Sequence, residues 1–278
     1  MNTLTSSATS VLHATCQLVD GQSVLTERYH QTPLKITKTF REQTTNALML
    51  YIMDVSPGMM EGDQYELRIK QEDNTHLVLT NQSFTKIHPA IRAGATLQAQ
   101  FHIGGGAILE YMPEPTIPYK DSLFKGSNQF YLAKDASLIY VEITTPGRTH
   151  RDELFHFAKF STSTEIYLEG QMVASDSFCL IPKLHRHSLI GVLEHYTYQA
   201  VMWIFSPMAK DGMLQSIREK LEGIPQSRLL AAASLASRGG IVVRMLGHSV
   251  WELQELSQQL WDLCRGELWQ LPPCHLRK

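Results

Sequence analysis

Tyr65-Glu66-Leu67-Arg68-Ile69-Lys70 is the stretch that decides the fold, because apolar and charged residues alternate along it without a break. Successive side chains of a strand point to opposite faces, so Tyr65, Leu67 and Ile69 share one buried face and the charges share the other. The same two-residue period recurs on both sides. Leu34-Lys35-Ile36-Thr37-Lys38 carries it, as do Leu97, Ala99, Phe101 and Ile103, which run up to Gly104-Gly105-Gly106. Leu77-Val78-Leu79 follows a polar turn, and further strands are expected over 129–133, 138–143, 154–160, 165–168, 177–181 and within 195–205. Turn signals about ten residues apart fit an all-β sandwich, barrel or solenoid, and periodicity alone leaves the three open.

The tail changes character. Residues 226–237, QSRLLAAASLAS, predict a short helix stopped by Gly239-Gly240, since alanine and leucine rank high in helix propensity. A strand is expected over 241–246. Ser249 then starts an amphipathic helix with Leu253, Leu256, Leu260, Cys264 and Leu268 at three- and four-residue steps. Each such side chain gains about 1.5–3 kcal/mol when fully buried, so this helix must pack, and the β-core is the surface at hand. Residues 226–278 thus read as a helix–strand–helix tail on the β-core. No proline- or glycine-rich linker sets the tail apart, so 1–278 reads as a single, mainly β domain with two C-terminal helices. Residues 1–20 are expected to be disordered.

Of the 278 residues, 43% are hydrophobic and 19% charged, which describes a globular chain rather than a disordered one. The net charge of −2 supplies no global field to recruit nucleic acid or an anionic membrane. No apolar run is long enough to span a bilayer, and the start lacks the basic and apolar regions of a secretory signal, so a cytoplasmic location is expected. Cys16, Cys179, Cys264 and Cys274 are scattered and read as reduced thiols.

Gly104-Gly105-Gly106 lacks the Gly-Lys-Ser/Thr of a phosphate loop and reads as a turn, so no direct nucleotide binding is expected. No zinc-protease or nucleophile-elbow motif occurs. Imidazole and thiolate suit nickel, copper and zinc, which gives His185-Arg186-His187 and Cys274-His275 a metal reading; on a strand, His185 and His187 would share one face. Twelve histidines make chance neighbours common, and a solvated surface is the favoured reading of both pairs. Two further classes remain open from the residues alone. One is an autonomous β-rich hydrolase using Glu110 and Glu153 as acid and base; the other is a metal store built on the histidines.

A series of blocks carries a resemblance. Tyr29 with Pro33-Leu34-Lys35 comes first, then Ser56-Pro57-Gly58-Met59-Met60-Glu61-Gly62-Asp63-Gln64-Tyr65, then Thr80-Asn81-Gln82-Ser83-Phe84-Thr85-Lys86. Leu109-Glu110-Tyr111 with Pro113, Pro115, Ile117 and Pro118 follows, then Gly147-Arg148 with Glu153 and Phe155, and last Val243-Arg244-Met245-Leu246-Gly247 with the helix after it. In this order they resemble the urease accessory protein family UreD, also called UreH, over nearly the whole chain. Ser56-Pro57-Gly58 stands where many members have a Gly-Gly pair, and Pro272-Pro273-Cys274-His275 stands where many end in proline-arginine-tryptophan.

The resemblance implies a β-solenoid-like stack of short strands with two helices. It implies a non-enzymatic scaffold that assembles with UreF-like and UreG-like accessory proteins on apo-urease and helps load nickel, with no tightly bound cofactor and Ni2+ only in transit. A conduit must offer groups that replace part of the ion's hydration yet let it leave, which favours sparse carboxylates over a Cys/His cage. On that argument Asp63, Glu110, Glu142 and Glu153 are the transit candidates, with Lys86 and Arg148 as balancing charges and His185 and His187 as weaker metal candidates. Glu142 lies outside the blocks.

Overall fold

The alternation that begins at Tyr65 ends in a wound stack of strands. A computed structural model describes residues 9–42, 44–45, 47–209, 211–225 and 227–276. The chain enters as a hairpin, β1 (Thr9–Val19) and β2 (Gln22–His30), and crosses through β3 (Leu34–Ile36), β4 (Phe40–Arg41) and β5 (Leu48–Asp54). It then winds in coils. β6 (Gln64–Gln71), β7 (His76–Asn81) and β8 (Thr85–Ile87) make one; β9 (Ala95–Ile103), β10 (Ile108–Tyr111) and β11 (Thr116–Pro118) make the next. β12 (Leu123–Leu132) and β13 (Ser137–Thr144) open a third, and β14 (Lys159–Leu168) and β15 (Gln171–Leu180) close the smaller sheet as a hairpin. The path ends with β16 (Tyr198–Phe205), α1 (Asp211–Glu222), β17 (Leu229–Leu235), β18 (Ile241–Gly247) and α2 (Val250–Trp269).

Corresponding strands of successive coils pair in parallel. Gln64 lies beside Thr96, Ala95 beside Phe124 and Leu123 beside Lys159, a repeat of about thirty residues, within the range of solenoid periods. The smaller sheet runs β15-β14-β12-β9-β6-β1-β2, and the larger runs β17-β18-β16-β13-β10-β7-β5-β3 with β4, β8 and β11 attached. The interior of the smaller sheet is parallel, as is the β13-β10-β7-β5 run of the larger, whose β16 and β18 are antiparallel to their neighbours; the four marginal strands β2, β15, β3 and β17 likewise run antiparallel. The fold is therefore the expected β-solenoid-like stack.

Two apolar layers result from the pleat. Leu67, Ile69, Phe101, Phe130, Leu79, Tyr111 and Tyr140 fill the space between the sheets. Ile139, Val141 and Ile143 of β13 alternate with them and point the other way, where Met202, Val243, Leu253, Leu260 and Trp261 complete a second layer under the helices. Glu110 and Glu142 consequently stand on opposite faces of the larger sheet.

Several expectations are corrected. Thr9–Val19 is a strand buried on alternate residues, not part of a disordered start; residues 1–8 lie outside those described. Residues 229–235, expected to be helical, form β17, paired along its length with β18. The first C-terminal helix is instead α1, so the tail from Leu229 is strand, strand, helix; Gln226 lies outside the described residues. The strand expected from residue 154 starts only at Lys159, because Gly147 (φ +129°) and a short 3-10 turn at Thr149–Arg151 fold the chain back first. His185 and His187 sit in turns rather than on one face of a strand.

Candidate functional site

The sequence-based candidates separate into three places. Asp63 stays at its turn, where its Oδ2 accepts the Met60 amide at 2.7 Å just ahead of β6. Lys86 lies half-buried on β8, on the side opposite the buried Ile87, and its carbonyl accepts the Met59 amide. Arg148 and Glu153 form a bidentate pair at 2.5 and 2.7 Å in the loop between β13 and β14, with the Arg148 guanidinium lying 4.1 Å over the Tyr119 ring. The Arg148 bond, against a smaller burial effect, holds the Glu153 carboxyl below its usual range. His187 stacks on Phe155 at 4.0 Å, and His185 Nδ1 accepts the Ile181 amide, so neither ring is aimed at a shared ion. Among the described residues no group of three or more His, Cys, Asp or Glu side chains could hold a metal.

Glu110 is fully buried between the larger sheet and α2. Its Oε1 meets His76 Nε2 and Arg265 Nη1, each at 2.5 Å, and its Oε2 accepts the Trp261 indole N–H. Burial by itself would raise this carboxyl; the His76 and Arg265 contacts outweigh it and hold the group below its ordinary range. Arg265 is also wholly buried and gives its Nε–H to the Pro272 carbonyl. A carboxylate so supplied with donors fastens α2 and the chain end to the sheet. Glu110 and Glu153 lie on different elements, each held by its own basic partners.

Glu142 is in a different environment. It projects from β13 into the space between the sheets, in line with Leu138 and Tyr140. Part of the residue reaches solvent. Even so, burial pushes its carboxyl up to about 7; the nearby Thr162 and Tyr140 hydroxyls work against the shift and the Asp176 charge adds to it. Asn128 Nδ2 donates to the Tyr140 hydroxyl at 2.9 Å. Thr164 Oγ1 lies beside that hydroxyl but makes no hydrogen bond of sound geometry. Tyr111, Tyr140, Phe130 and Phe101 stack as neighbours around this polar group, with ring centroids 4.6 to 5.4 Å apart. The result is a carboxylate with hydroxyl oxygens near it and aromatic rings beside it, within range of the charge of Asp176, which Arg244 pairs at 2.8 Å. Oxygen ligands in this number suit a hard or borderline divalent cation held loosely.

Asn128, Tyr140, Thr162, Thr164, Asp176 and Arg244 were absent from the sequence-based candidates. Arg244 alone carried a signal, being the charged residue in the Val243–Gly247 block. The others sit on alternating strands where a polar residue on the inner face looks like any strand polar residue until the second sheet is in place. His76, Trp261 and Arg265 meet Glu110 only once α2 packs on the outer face of the larger sheet, which no local pattern announces.

The family described as UreD urease accessory protein matches residues 8–278 of this chain. A urease accessory protein UreD of Acetivibrio thermocellus is 30% identical over 247 residues, covering 89% of this chain and 94% of that protein. UreD of Flavobacterium johnsoniae is 29% identical over 87% of this chain and 88% of its own, and UreH of Helicobacter hepaticus 29% over 87% and 92%. No helix among the described residues is long and apolar enough to cross a membrane.

Proposed function

This chain belongs to the UreD urease accessory protein family, and from that premise we propose that it is a non-enzymatic scaffold that delivers nickel to apo-urease. It acts in the cytoplasm, in a complex with UreF-like and UreG-like proteins docked on the urease subunits. The match over residues 8–278 is the observation that carries this reading. Nickel is cargo, taken up and released, with no resident cofactor.

Of the four transit carboxylates, Glu142 has the chemistry the role requires. It is largely buried, no basic side chain among the described residues pairs with it, and the Tyr140 and Thr162 hydroxyls lie near it. A fully paired carboxylate such as Glu110 has no capacity left for an ion, and Asp63 and Glu153 are engaged by a turn amide and by Arg148. We assign those three to holding the scaffold in shape.

The test is urease activity and nickel content when the urease and accessory genes of the source organism are expressed with this chain, without it, and with Glu142→Ala. Loaded urease only with the wild-type chain, and impaired loading with Glu142→Ala at unchanged complex assembly, is the expected result. Full loading without the chain overturns the delivery reading; full loading with Glu142→Ala removes Glu142 from it.

A further inference from the structure

The two sheets part between β15 and β18, and two arginines span the gap. Arg238 reaches Glu169 at 3.8 Å and the Gln171 side chain. Arg244 Nη2 donates to Asp176 Oδ1 at 2.8 Å. Val243 and Met245 belong to the layer beneath the helices, whereas Val242 and Leu246 pack on the inner core, so Arg244 stands on the inner face with the latter two. Glu142 pairs with Val201 and Val201 with Arg244, which makes one row across β13, β16 and β18. On the facing sheet Asp176 pairs with Thr164, whose buried hydroxyl lacks a hydrogen-bond partner. Asp176 is 23% exposed and Arg244 58%, so the pair borders solvent while the Asp176 charge still acts on Glu142.

A carboxylate at the mouth with an unpaired hydroxyl behind it suits a hydrated dication, but a guanidinium already fills the place. Guanidinium keeps its charge at any ordinary pH, so no proton removes it; only a competing cation does. A half-exposed pair of this kind contributes little free energy in water, so a dication can take its place at small cost. A monovalent ion gains no more from Asp176 than Arg244 does.

Resting on the delivery reading above, we propose that Arg244 is a counter-ion gate on the route of the ion to Glu142. It occupies Asp176 in the metal-free protein and swings to solvent when a divalent cation arrives there on its way to Glu142. The step exchanges one ionic partner for another, with no covalent bond made or broken and no electron moved.

Equilibrium dialysis of the full chain against Ni2+, with metal measured in the protein compartment, tests the gate. Arg244→Gln is expected to tighten Ni2+ binding about fivefold, the size of one exposed ion pair. Asp176→Asn is expected to weaken it, and the double variant to lose the gain. Arg244→Lys restores the competing charge and returns affinity toward wild type. Unchanged or weaker binding by Arg244→Gln overturns the gate, as does an equal gain in the double variant. Thermal melting checks folding; if the Arg244 variants unfold, Asp176→Asn alone decides, and unaltered Ni2+ affinity there overturns the proposal. Binding lost in Glu142→Gln but indifferent to Arg244 fells the gate and spares the delivery reading. Urease loading that ignores this chain fells the delivery reading by a separate route.

Discussion

Glu110 and Glu142 differ by the face of the sheet they stand on, and that difference decides their chemistry. Glu110 has two basic partners and an indole, and its neutral analogue would leave Arg265 buried without its counter-charge. Removing one member of a buried ion pair costs about 3–5 kcal/mol, so Glu110→Gln should lower the urea midpoint by a corresponding amount. The folded carboxyl lies below its ordinary value of 4.5. Its contribution is therefore whole above that pH and drains away as pH falls through the folded value. Glu142 has the opposite sign. Its folded carboxyl is raised from 4.5 to about 7, so folding favours the protonated form, and a penalty grows across that window and is complete above it. Glu142→Gln should accordingly be near neutral at pH 4 and stabilising at pH 8, by up to about 3 kcal/mol, read as a rise in Tm over wild type.

At the scale of elements, the helix α2 begins at Ser249 as the sequence predicts, yet the Ser249 side chain makes no cap bond and its hydroxyl is buried without a partner. Ser249→Ala should thus cost well under the ~1 kcal/mol usual for a cap, with the denaturation midpoint held within error of wild type. Alternation was a sound guide where one face meets the core, as at Tyr65–Lys70, because the strand's period and its burial coincide. Helix propensity failed in QSRLLAAASLAS. Alanine's helix propensity is worth only tenths of a kcal/mol per residue, and the backbone bonds to β18 along residues 229–235 override it. Conversely Met213, Leu214, Ile217 and Leu221 carry the three- and four-residue steps of α1, a pattern legible in the sequence but short and set among polar residues. The site was less legible than the fold. Glu110 and Arg265 lie 155 residues apart, and no local pattern links a carboxylate to so distant a guanidinium. The same holds for Asp176 and Arg244, which meet only because two sheets close on each other.

For the whole molecule, the inner layer belongs to the coils, while the outer layer needs α2. Cutting the chain after Gly247 removes Leu253, Leu260 and Trp261 from the outer layer and strips Glu110 of Arg265 and Trp261. A larger fraction of such a truncation than of the full chain should sediment as aggregate, since a broad apolar sheet face would be bared. The four reversed strands at the sheet margins bear on how many copies can join. A coil stack whose outermost strand runs with its neighbours presents a template for another coil, and that one for the next, so growth has no natural stop. Here β2, β15, β3 and β17 turn back at every margin. A second molecule finds no coil to continue, and the stack is a finished length rather than the first segment of a fibre.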